Sequence, residues 1–406
     1  MKFAHFADCH LGGWRDEKLN ELNLRAFSAG VSRCISEKVD FLLISGDLFN
    51  TSLPGIDKLK EAVRNLKLLK NEGIPVYIIA GSHDFSPSGK TMIDVLEEAG
   101  LVVNVVRGSV TEGKLKLDFT VDKRTGAKIA GMLGRRGMLE KSFYENLEKT
   151  NLEAETGFKI FMFHTAITEL KAKEFENIDS APVSLLPAGF DYYAGGHVHI
   201  VREFALQGYK RIVYPGPLFP NSFSELEKLG QGGFYIFNDG ALSRASLNLV
   251  GVYSIAKDCS GMSPEQVEAE IKKEIAGKAF DDAIVTLKLF GVLKSGKPSD
   301  ININALVSLI YEKSAFFVMK NLNQLESTEF EEIKVKESSI EETESCLISE
   351  HLGRSRDLGI DAEKEMQLTK ELLALLSREK TEGEKVYEFD DKIARDARKL
   401  TENHGV

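Results

Sequence analysis

Cysteine is scarce in this chain. Its four cysteines, Cys9, Cys34, Cys259 and Cys346, are spread over 406 residues without a Cys-x-x-Cys pair. This spacing argues against a disulfide framework and against a structural zinc site with thiolate ligands. We therefore expect reduced thiols with structural roles.

Long apolar runs are also missing. No stretch approaches the 18 or so uninterrupted apolar residues that a membrane-spanning helix needs. The N-terminal "MKFAHFADCH" has polar residues where a signal peptide needs an apolar core. We expect a soluble, cytoplasmic protein with no membrane partner.

Basic residues are outnumbered, since 62 Asp and Glu face 52 Lys and Arg, for a net charge of −10. Much of this acidity lies in residues 326–350, which contain nine glutamates and two lysines. Because the rest of the chain is only weakly acidic, the net charge alone does not exclude a polyanionic partner.

Residues 1–245 alternate short apolar runs with amphipathic stretches, which predicts one large α/β domain. Ile56, Leu59, Val63 and Leu66 recur at helical spacing and predict a helix packed on the sheet. The predicted strands are "KFAHFAD", "VDFLLISGD", "PVYIIAG", "GLVVNVV", "AKIAGML", "FKIFMFH", "FDYYAGG", "RIVYPG" and "GGFYIFND".

The remainder of the chain divides into three predicted parts. Residues 250–325 read as a smaller α/β unit with three strands and two helices, residues 326–355 as an acidic linker, and residues 356–402 as a helical segment broken at "TEGEK". The last segment has more apolar surface than a lone helix can bury. Docking onto another protein and packing against the chain's own body are both open.

Five of the eight histidines and two aspartates lie at predicted strand ends. An Asp-x-His or His-x-His pair in extended backbone puts both side chains on one side, since alternate residues face the same way. Two such pairs and a bridging carboxylate predict a binuclear metal site. The seven residues are Asp8, His10, Asp47, His83, His164, His197 and His199.

The mixture of imidazole and carboxylate suits manganese, iron or zinc. Two such ions bridged by a carboxylate and a hydroxide produce a nucleophile at neutral pH and hold the oxygens of a phosphate ester. This pattern therefore favours phosphoester hydrolysis. A lone histidine is more often structural, and we assign His5, which has no partner motif, to that class.

The order Asp-x-His, Gly-Asp, Gly-x-His-Asp, His and Gly-His-x-His over residues 8–199 resembles the calcineurin-like metallophosphoesterases. "HFADCHLGG", "SGDLFN" and "YPGPLFPNSFSE" are similar to the double-strand-break repair nucleases of the meiotic-recombination-eleven or SbcD-like family. The resemblance implies a four-layer α/β sandwich for residues 1–245. It also implies a small α/β capping, DNA-binding domain at 250–325 and a C-terminal helical pair.

The resemblance also implies an activity and partners. It implies two Mn²⁺ ions per subunit, exonuclease action on duplex ends and endonuclease action on single strands, in double-strand-break repair. Its implied partners are DNA ends, a second copy in a homodimer and an SMC-like ABC-type ATPase with a coiled coil. The helical segment 356–402 would dock that ATPase.

Position by position, the resemblance assigns one metal to Asp8, His10, Asp47 and His199. The other metal would share Asp47 and take His164, His197 and Ser82. In the family the position of Ser82 is usually Asn. Because a serine oxygen lies one bond nearer the backbone than an amide oxygen, we expect a weaker second site.

The resemblance assigns His83 to transition-state stabilisation or protonation of the leaving 3′ oxygen, and not to a metal. Asp84 either orients that ring or caps the turn, and both interpretations are open. Arg15, Arg135 and Arg136 are candidate DNA contacts, with Lys123 and Arg124 as further candidates.

Two other functions are compatible with the metal motif. The first is a general metal-dependent phosphodiesterase or phosphatase. The second is a weakly catalytic scaffold for DNA ends, in which Ser82 marks an altered site. The capping unit and terminal helices disfavour the first, and the complete set of Asp and His candidates disfavours the second.

Overall fold

The structure, a computed structural model, describes residues 1–86, 91–134, 141–170, 180–327, 362–378 and 386–404. Contacts group the chain into two compact units, Met1–Glu329 and Phe330–Val406. Across the described ranges, every helix is too short or too polar to cross a membrane. Cys9, Cys34 and Cys259 are buried free thiols, and Cys346 lies outside these ranges.

The described residues form eighteen strands: β1 (Lys2–Phe6), β2 (Phe41–Ser45), β3 (Val76–Ile79), β4 (Val103–Asn104), β5 (Gly108–Thr111), β6 (Lys114–Leu117), β7 (Thr120–Val121), β8 (Lys128–Gly131), β9 (Leu147–Glu148), β10 (Lys159–His164), β11 (Tyr192–Gly196), β12 (Arg202–Leu206), β13 (Tyr209–Tyr214), β14 (Gly233–Asn238), β15 (Ala241–Ser246), β16 (Val252–Asp258), β17 (Ile284–Leu293) and β18 (Phe317–Ser327).

The helices are α1 (Glu17–Ser36), α2 (Ile56–Asn71), α3 (Met92–Glu98), α4 (Lys141–Glu145), α5 (Thr150–Ala154), α6 (Phe223–Leu229), α7 (Pro264–Ala276), α8 (Ile303–Glu312) and two C-terminal helices, Ala362–Leu376 and Val386–His404. All nine strands predicted over residues 1–245, and the helix predicted from Ile56, are present. Sequence reasoning did not identify α1, the β5–β6 hairpin or the edge strands β12 and β15.

Two six-stranded sheets face each other in the first unit. Their strand orders are β15-β14-β1-β2-β3-β4 and β12-β13-β11-β10-β8-β7. Strands β1 to β4 are mutually parallel, as are β8, β10, β11 and β13. The space between the sheets is filled by fully buried residues that include Phe3, Phe41, Leu43, Ile160, Met162 and Val213.

Helical layers cover the outer faces of both sheets. Leu19, Phe27 and Leu66 from α1 and α2 join one core with the first sheet, while Tyr144 and Leu152 join another with the second sheet. In α1, a Cβ at Gly30 would lie only 2.9 Å from the Phe6 ring, so glycine lets this helix approach the sheet closely. The predicted four-layer α/β sandwich is confirmed.

The predicted smaller α/β unit contains its expected elements. Strands β16, β17 and β18 form a parallel sheet, with α7 and α8 packed on it. Ser263 caps α7 by accepting from the amide of Gln266, whose side chain returns to the Ser263 amide. Ile284 of this sheet also belongs to the core around α1 and β1. The domain boundaries at 245 and 325 stay a prediction.

The second unit contains the two C-terminal helices. His404 Nε2 lies 3.1 Å from Glu371 Oε2, and Arg378 Nη1 lies 3.6 Å from Asp396 Oδ2. Leu373 and Leu376 are exposed, whereas Leu375 is buried. Residues 328–361, which hold most of the predicted linker, lie outside the described residues. ATPase docking by this unit stays a prediction.

Phe3 should be a main contributor to the core between the two sheets. Its ring stacks on Phe41 and Phe237 at centroid distances of 4.9 and 4.7 Å and is fully buried. We expect Phe3→Ala to lower the free energy of unfolding by about 3–5 kcal/mol, because it leaves a cavity. Denaturant unfolding followed by circular dichroism measures this change.

Leu53→Ala is the control for the Phe3 prediction, because Leu53 is 77% exposed. We expect its free energy of unfolding to change by no more than about 0.5 kcal/mol. Equal losses in the two variants would contradict the assignment of the core to the space between the sheets.

Candidate metal centre

The candidate ligands follow the carboxyl ends of five parallel strands. Asp8 and His10 follow β1, Asp47 follows β2, Ser82 and His83 follow β3, His164 ends β10, and His197 and His199 follow β11. The carboxyl ends of parallel strands share one edge of a sheet, where α/β folds bind ligands. Both sheets therefore contribute side chains to one place.

Three groups of ligand atoms each lie within 4.8 Å of one another: Asp8, His10 and His199; His10, Asp47 and His83; and Asp8, Asp47 and His164. Because the groups share members, six residues form one cluster. His83 belongs to it, although the sequence assigns it no metal. The role of each residue stays a prediction.

Asp47 lies at the centre of this cluster. Its Oδ2 is 3.1 Å from His164 Nε2 and 3.6 Å from His10 Nε2. Its Oδ1 accepts from the backbone amide of His83 at 2.7 Å, and the hydroxyl of Ser82 donates to Oδ2 at 3.4 Å. A single carboxylate thus joins groups that follow β1, β2, β3 and β10.

His197 belongs to none of the three close groups, but it lies beside them. Its ring centroid is 5.2 Å from that of His164, and its backbone amide donates to Asp8 Oδ1 at 2.9 Å. The predicted partner set of the second metal, Asp47, His164, His197 and Ser82, is therefore adjacent in space.

The backbone is left-handed at both members of the Asp8/His10 and His197/His199 pairs and at Asp47. The expectation that these pairs lie in extended backbone is therefore wrong. The φ angles are 51° at Asp8, 43° at His10, 53° at Asp47, 93° at His197 and 50° at His199. The chain turns after each strand ends. The loops after β1 and β2 are joined by the hydrogen bond from the His10 amide to the Asp47 carbonyl at 2.9 Å. Loop geometry, and not strand alternation, brings each pair together.

Left-handed backbone at residues other than glycine costs on the order of 1–3 kcal/mol each and persists where the surroundings enforce it. Four such residues in the cluster, with His197 beside it, indicate a functional centre. Glycines allow the crowding, since a Cβ at Gly81 would lie 2.2 Å from Asp47 Oδ1 and one at Gly46 would lie 2.2 Å from His164 Nδ1.

Burial sets the charge of two imidazoles. It lowers the pKa of His10 to about 3 and that of His197 to about 4, so both rings are neutral. Burial also opposes a charge on His164, but the attraction of Asp47 prevails and raises its pKa to about 10. Burial likewise opposes ionisation of Asp47, yet His164 lowers its pKa. The cluster therefore stabilises positive charge beside Asp47.

These observations fit a divalent metal. The Nδ1 atom of His10 is buried with no hydrogen-bond partner among the described residues, and its Nε2 lies 3.0 Å from His199 Nε2. Two ring nitrogens this close need a proton between them. A metal ion bound by both rings would replace that proton. Buried carboxylates with imidazoles form a donor set that suits manganese, iron or zinc.

Three imidazoles of the cluster are held at Nδ1 by an acceptor. His164 Nδ1 lies 2.8 Å from the Ser45 carbonyl, and His83 Nδ1 lies 2.8 Å from the Asn50 carbonyl. His199 Nδ1 lies 3.0 Å from Glu225 Oε1. Sequence reasoning missed Glu225, although Ser222-x-x-Glu225 has the spacing of a capping box and signals a helix start.

Asp84 matches the turn-capping interpretation. It is buried, and its oxygens accept from the backbone amides of Leu48, Phe49 and Gly81 at 3.1, 2.9 and 3.1 Å. Burial raises its pKa, while the three amide donors favour its ionised form. Asp84 thereby ties the loop after β2 to the loop after β3.

The candidate DNA contacts differ in their positions. Arg15 is exposed beside Trp14, whose indole donates to the Pro220 carbonyl at 2.9 Å. Arg124 donates to the Gly73 carbonyl and lies 3.8 Å from Asp40, both of which precede strands. It therefore lies at the edge opposite the cluster, which argues against a DNA contact there. Arg135 and Arg136 lie outside the described residues.

Comparison with known proteins identifies the class. The family model described as calcineurin-like phosphoesterase matches residues 1–201, the range that holds every candidate ligand. Residues 1–201 therefore form a calcineurin-like phosphoesterase domain, and this family implies divalent metal binding.

The curated relatives agree with the closer resemblance seen in the sequence. The chain is 27% identical to DNA double-strand break repair protein Mre11 of Archaeoglobus fulgidus, over 84% of this chain and 77% of that protein. It is 29% identical to the Mre11 of Methanococcus maripaludis, over 84% of this chain and 89% of that protein. The match to the Mre11 of Methanopyrus kandleri is 31% identical over 56% of this chain and 51% of that protein. The expected resemblance is confirmed.

Ser82→Asn should strengthen metal binding. The Ser82 hydroxyl is buried and 3.4 Å from Asp47 Oδ2, and an asparagine amide oxygen would reach one bond further into the cluster. We expect the weaker Mn²⁺ site to tighten by roughly tenfold or more, as changes around metal ligands commonly do. Titration calorimetry with Mn²⁺ measures the affinity.

Ser109→Asn is the matched control for this titration, because Ser109 is exposed on β5, which contributes no residue to the cluster. It should bind Mn²⁺ as the unchanged protein does. An unaltered isotherm for Ser82→Asn would show that residue 82 does not limit metal affinity.

Proposed function

We propose that this protein is a metal-dependent DNA nuclease of double-strand-break repair. The observation that carries the proposal is the convergence of two buried carboxylates and several imidazoles at the carboxyl edge of both sheets. The chain's similarity to relatives named DNA double-strand break repair protein, over 84% of its length, supports DNA as the substrate.

The proposal includes two Mn²⁺ ions per subunit. Asp8, His10, Asp47 and His199 would hold one ion, and Asp47, His164, His197 and Ser82 the other. The neutral rings of His10 and His197 and the central position of Asp47 support these sets. When bound, two ions supply an activated water and neutralise charge on the phosphate.

The residues of this chain would divide the remaining tasks. Asp47 and Asp8, both almost fully buried, would place two carboxylates beside the ions in a region with little water. The Asn50 carbonyl fixes one nitrogen of His83, whose ring centroid is 4.8 Å from that of His10. We assign to His83 the stabilisation of the transition state or protonation of the leaving 3′ oxygen.

The wider activity belongs to the same proposal. It comprises exonuclease action on duplex ends, endonuclease action on single strands, a homodimer and an ABC-type coiled-coil ATPase as partner. The exposed leucines Leu373 and Leu376 support a docking role for the C-terminal helices.

Asp8→Asn should abolish Mn²⁺-dependent digestion of an end-labelled linear duplex. Asparagine tolerates the left-handed backbone at residue 8 but removes the buried negative charge. We expect a loss of at least about a hundredfold, because both metal sets lie next to this carboxylate. Gel electrophoresis of the labelled DNA, with a phosphate monoester as a second substrate, measures the activity.

Asp118→Asn is the control for the nuclease test, since Asp118 is exposed. It should digest the duplex at the rate of the unchanged protein. Hydrolysis of the monoester without cleavage of DNA would instead identify a general phosphatase. Binding of DNA ends without any hydrolysis would identify a scaffold.

His83→Ala should retain both metals and lose most cleavage. The His83 side chain belongs to the cluster but is assigned to no metal, whereas its backbone amide, which the substitution keeps, donates to Asp47. We expect about a 10²–10⁴-fold slower cleavage, which is the usual contribution of a proton-transferring side chain. The Mn²⁺ content by elemental analysis and the single-turnover cleavage rate measure the two effects.

His404→Ala is the control for this comparison, because His404 contacts Glu371 in the second unit. Its Mn²⁺ content and cleavage rate should both be unchanged. Loss of an ion in His83→Ala would move His83 into the ligand set.

A further inference from the structure

Glu225 contacts the metal centre but is not one of its predicted ligands. Its Oε1 lies 3.0 Å from Nδ1 of His199, and on the other side of that ring Nε2 lies 3.8 Å from Asp8 Oδ1. His199 therefore lies between two carboxylates, one inside the cluster and one outside it.

The Glu225 carboxylate is fixed by its own neighbours. Oε1 also accepts from the hydroxyl of Ser222 at 3.1 Å, and Oε2 accepts from the backbone amide of Asn221 at 2.9 Å. Three donors thus hold the two oxygens. The side chain has little freedom to turn away from His199, because each rotation would break one of these bonds.

The segment that holds Glu225 is also attached to the loop of His10. The Trp14 indole donates to the Pro220 carbonyl at 2.9 Å. A Cβ at Gly13 would lie 3.1 Å from Asn221 Oδ1 and 3.1 Å from the His10 carbonyl, so the two segments are in close contact. Residues 220–225 therefore support two loops of the centre at once.

Glu225 differs from the other acceptors around the cluster. His164 and His83 are held by backbone carbonyls, whereas His199 is held by a carboxylate that accepts from three donors. A carboxylate on the outer nitrogen fixes the tautomer and makes the inner nitrogen a better ligand. A carbonyl fixes the ring in the same way but carries no net charge.

We propose that Glu225 is a positioning residue that fixes His199 and strengthens it as a metal ligand. This inference rests on the proposed function, since it requires that His199 bind a metal. The alternative is a purely structural role, in which Glu225 serves only to begin α6 together with Ser222.

Mn²⁺ binding to the full chain in the absence of DNA tests the proposal, with electron paramagnetic resonance reporting free and bound ion. We expect Glu225→Ala to weaken one Mn²⁺ site by about 10–100-fold, the usual effect of removing an outer partner of a metal ligand. Thermal melting of the metal-free protein measures the structural contribution separately.

Ser224→Gly is the matched control. Ser224 is exposed in α6 beside Glu225, so the substitution weakens the helix but keeps the Glu225 carboxylate and its three donors. We expect a lower melting temperature and an Mn²⁺ affinity within about twofold of the unchanged protein. If Ser224→Gly weakens Mn²⁺ binding as much as Glu225→Ala, the role is structural and the proposal is wrong.

Glu225→Gln keeps the proposal testable if the alanine variant does not fold. A glutamine has one acceptor oxygen and cannot accept from both His199 and Asn221, so we expect the same loss, of at least about tenfold. Unchanged Mn²⁺ affinity in the folded variant overturns the inference. Absence of Mn²⁺ binding in the unchanged protein overturns the proposed function itself, so the two failures are distinguishable.

Discussion

The carboxylate of Asp47 is the point on which the arrangement of the centre depends. It accepts a hydrogen bond from the His83 amide and faces the rings of His164 and His10. The backbone carbonyl of the same residue, Asp47, accepts from the His10 amide. A buried carboxylate is costly unless it is paired and hydrogen-bonded. Burial of Asp47 therefore requires the loops after β1 and β3 and the end of β10 to converge on it, and this convergence joins the two sheets at their carboxyl edge.

The same requirement explains the unfavourable backbone. Left-handed φ angles at Asp8, His10, Asp47, His197 and His199 turn each loop back toward the carboxylate. Conformational cost at five positions is tolerable only if packing elsewhere offsets it. The buried aromatic layer between the sheets and the helices α1 and α2 supply that packing. The packing of the fold thus stabilises a cluster of carboxylates and imidazoles that would not form without it. This set of side chains suits divalent metal ions.

Much of this could be predicted from sequence, and the exceptions have physical causes. Apolar runs that end in Asp, His or Gly predict the strands. Because parallel strands align their carboxyl ends, the same runs predict that the candidate ligands lie at one edge of the sheet. Strand alternation could not predict the left-handed turns, which depend on contacts between loops. The Glu225 partner was missed because its contact with His199 spans 26 residues and two elements. Helix α1 has a good cap in Asp16, a residue type that predicts a helix start from sequence.

The proposed function depends most on the binding of two divalent metals in the positions that the side chains of the cluster define. A crystal of the protein soaked in Mn²⁺, with anomalous diffraction recorded on both sides of the manganese absorption edge, tests it most directly. We expect two anomalous peaks separated by roughly 3.5–4 Å, one among Asp8, His10 and His199 and one beside His164 and His197, with Asp47 between them. No peak in the cluster, or peaks only at other positions of the molecule, would contradict it.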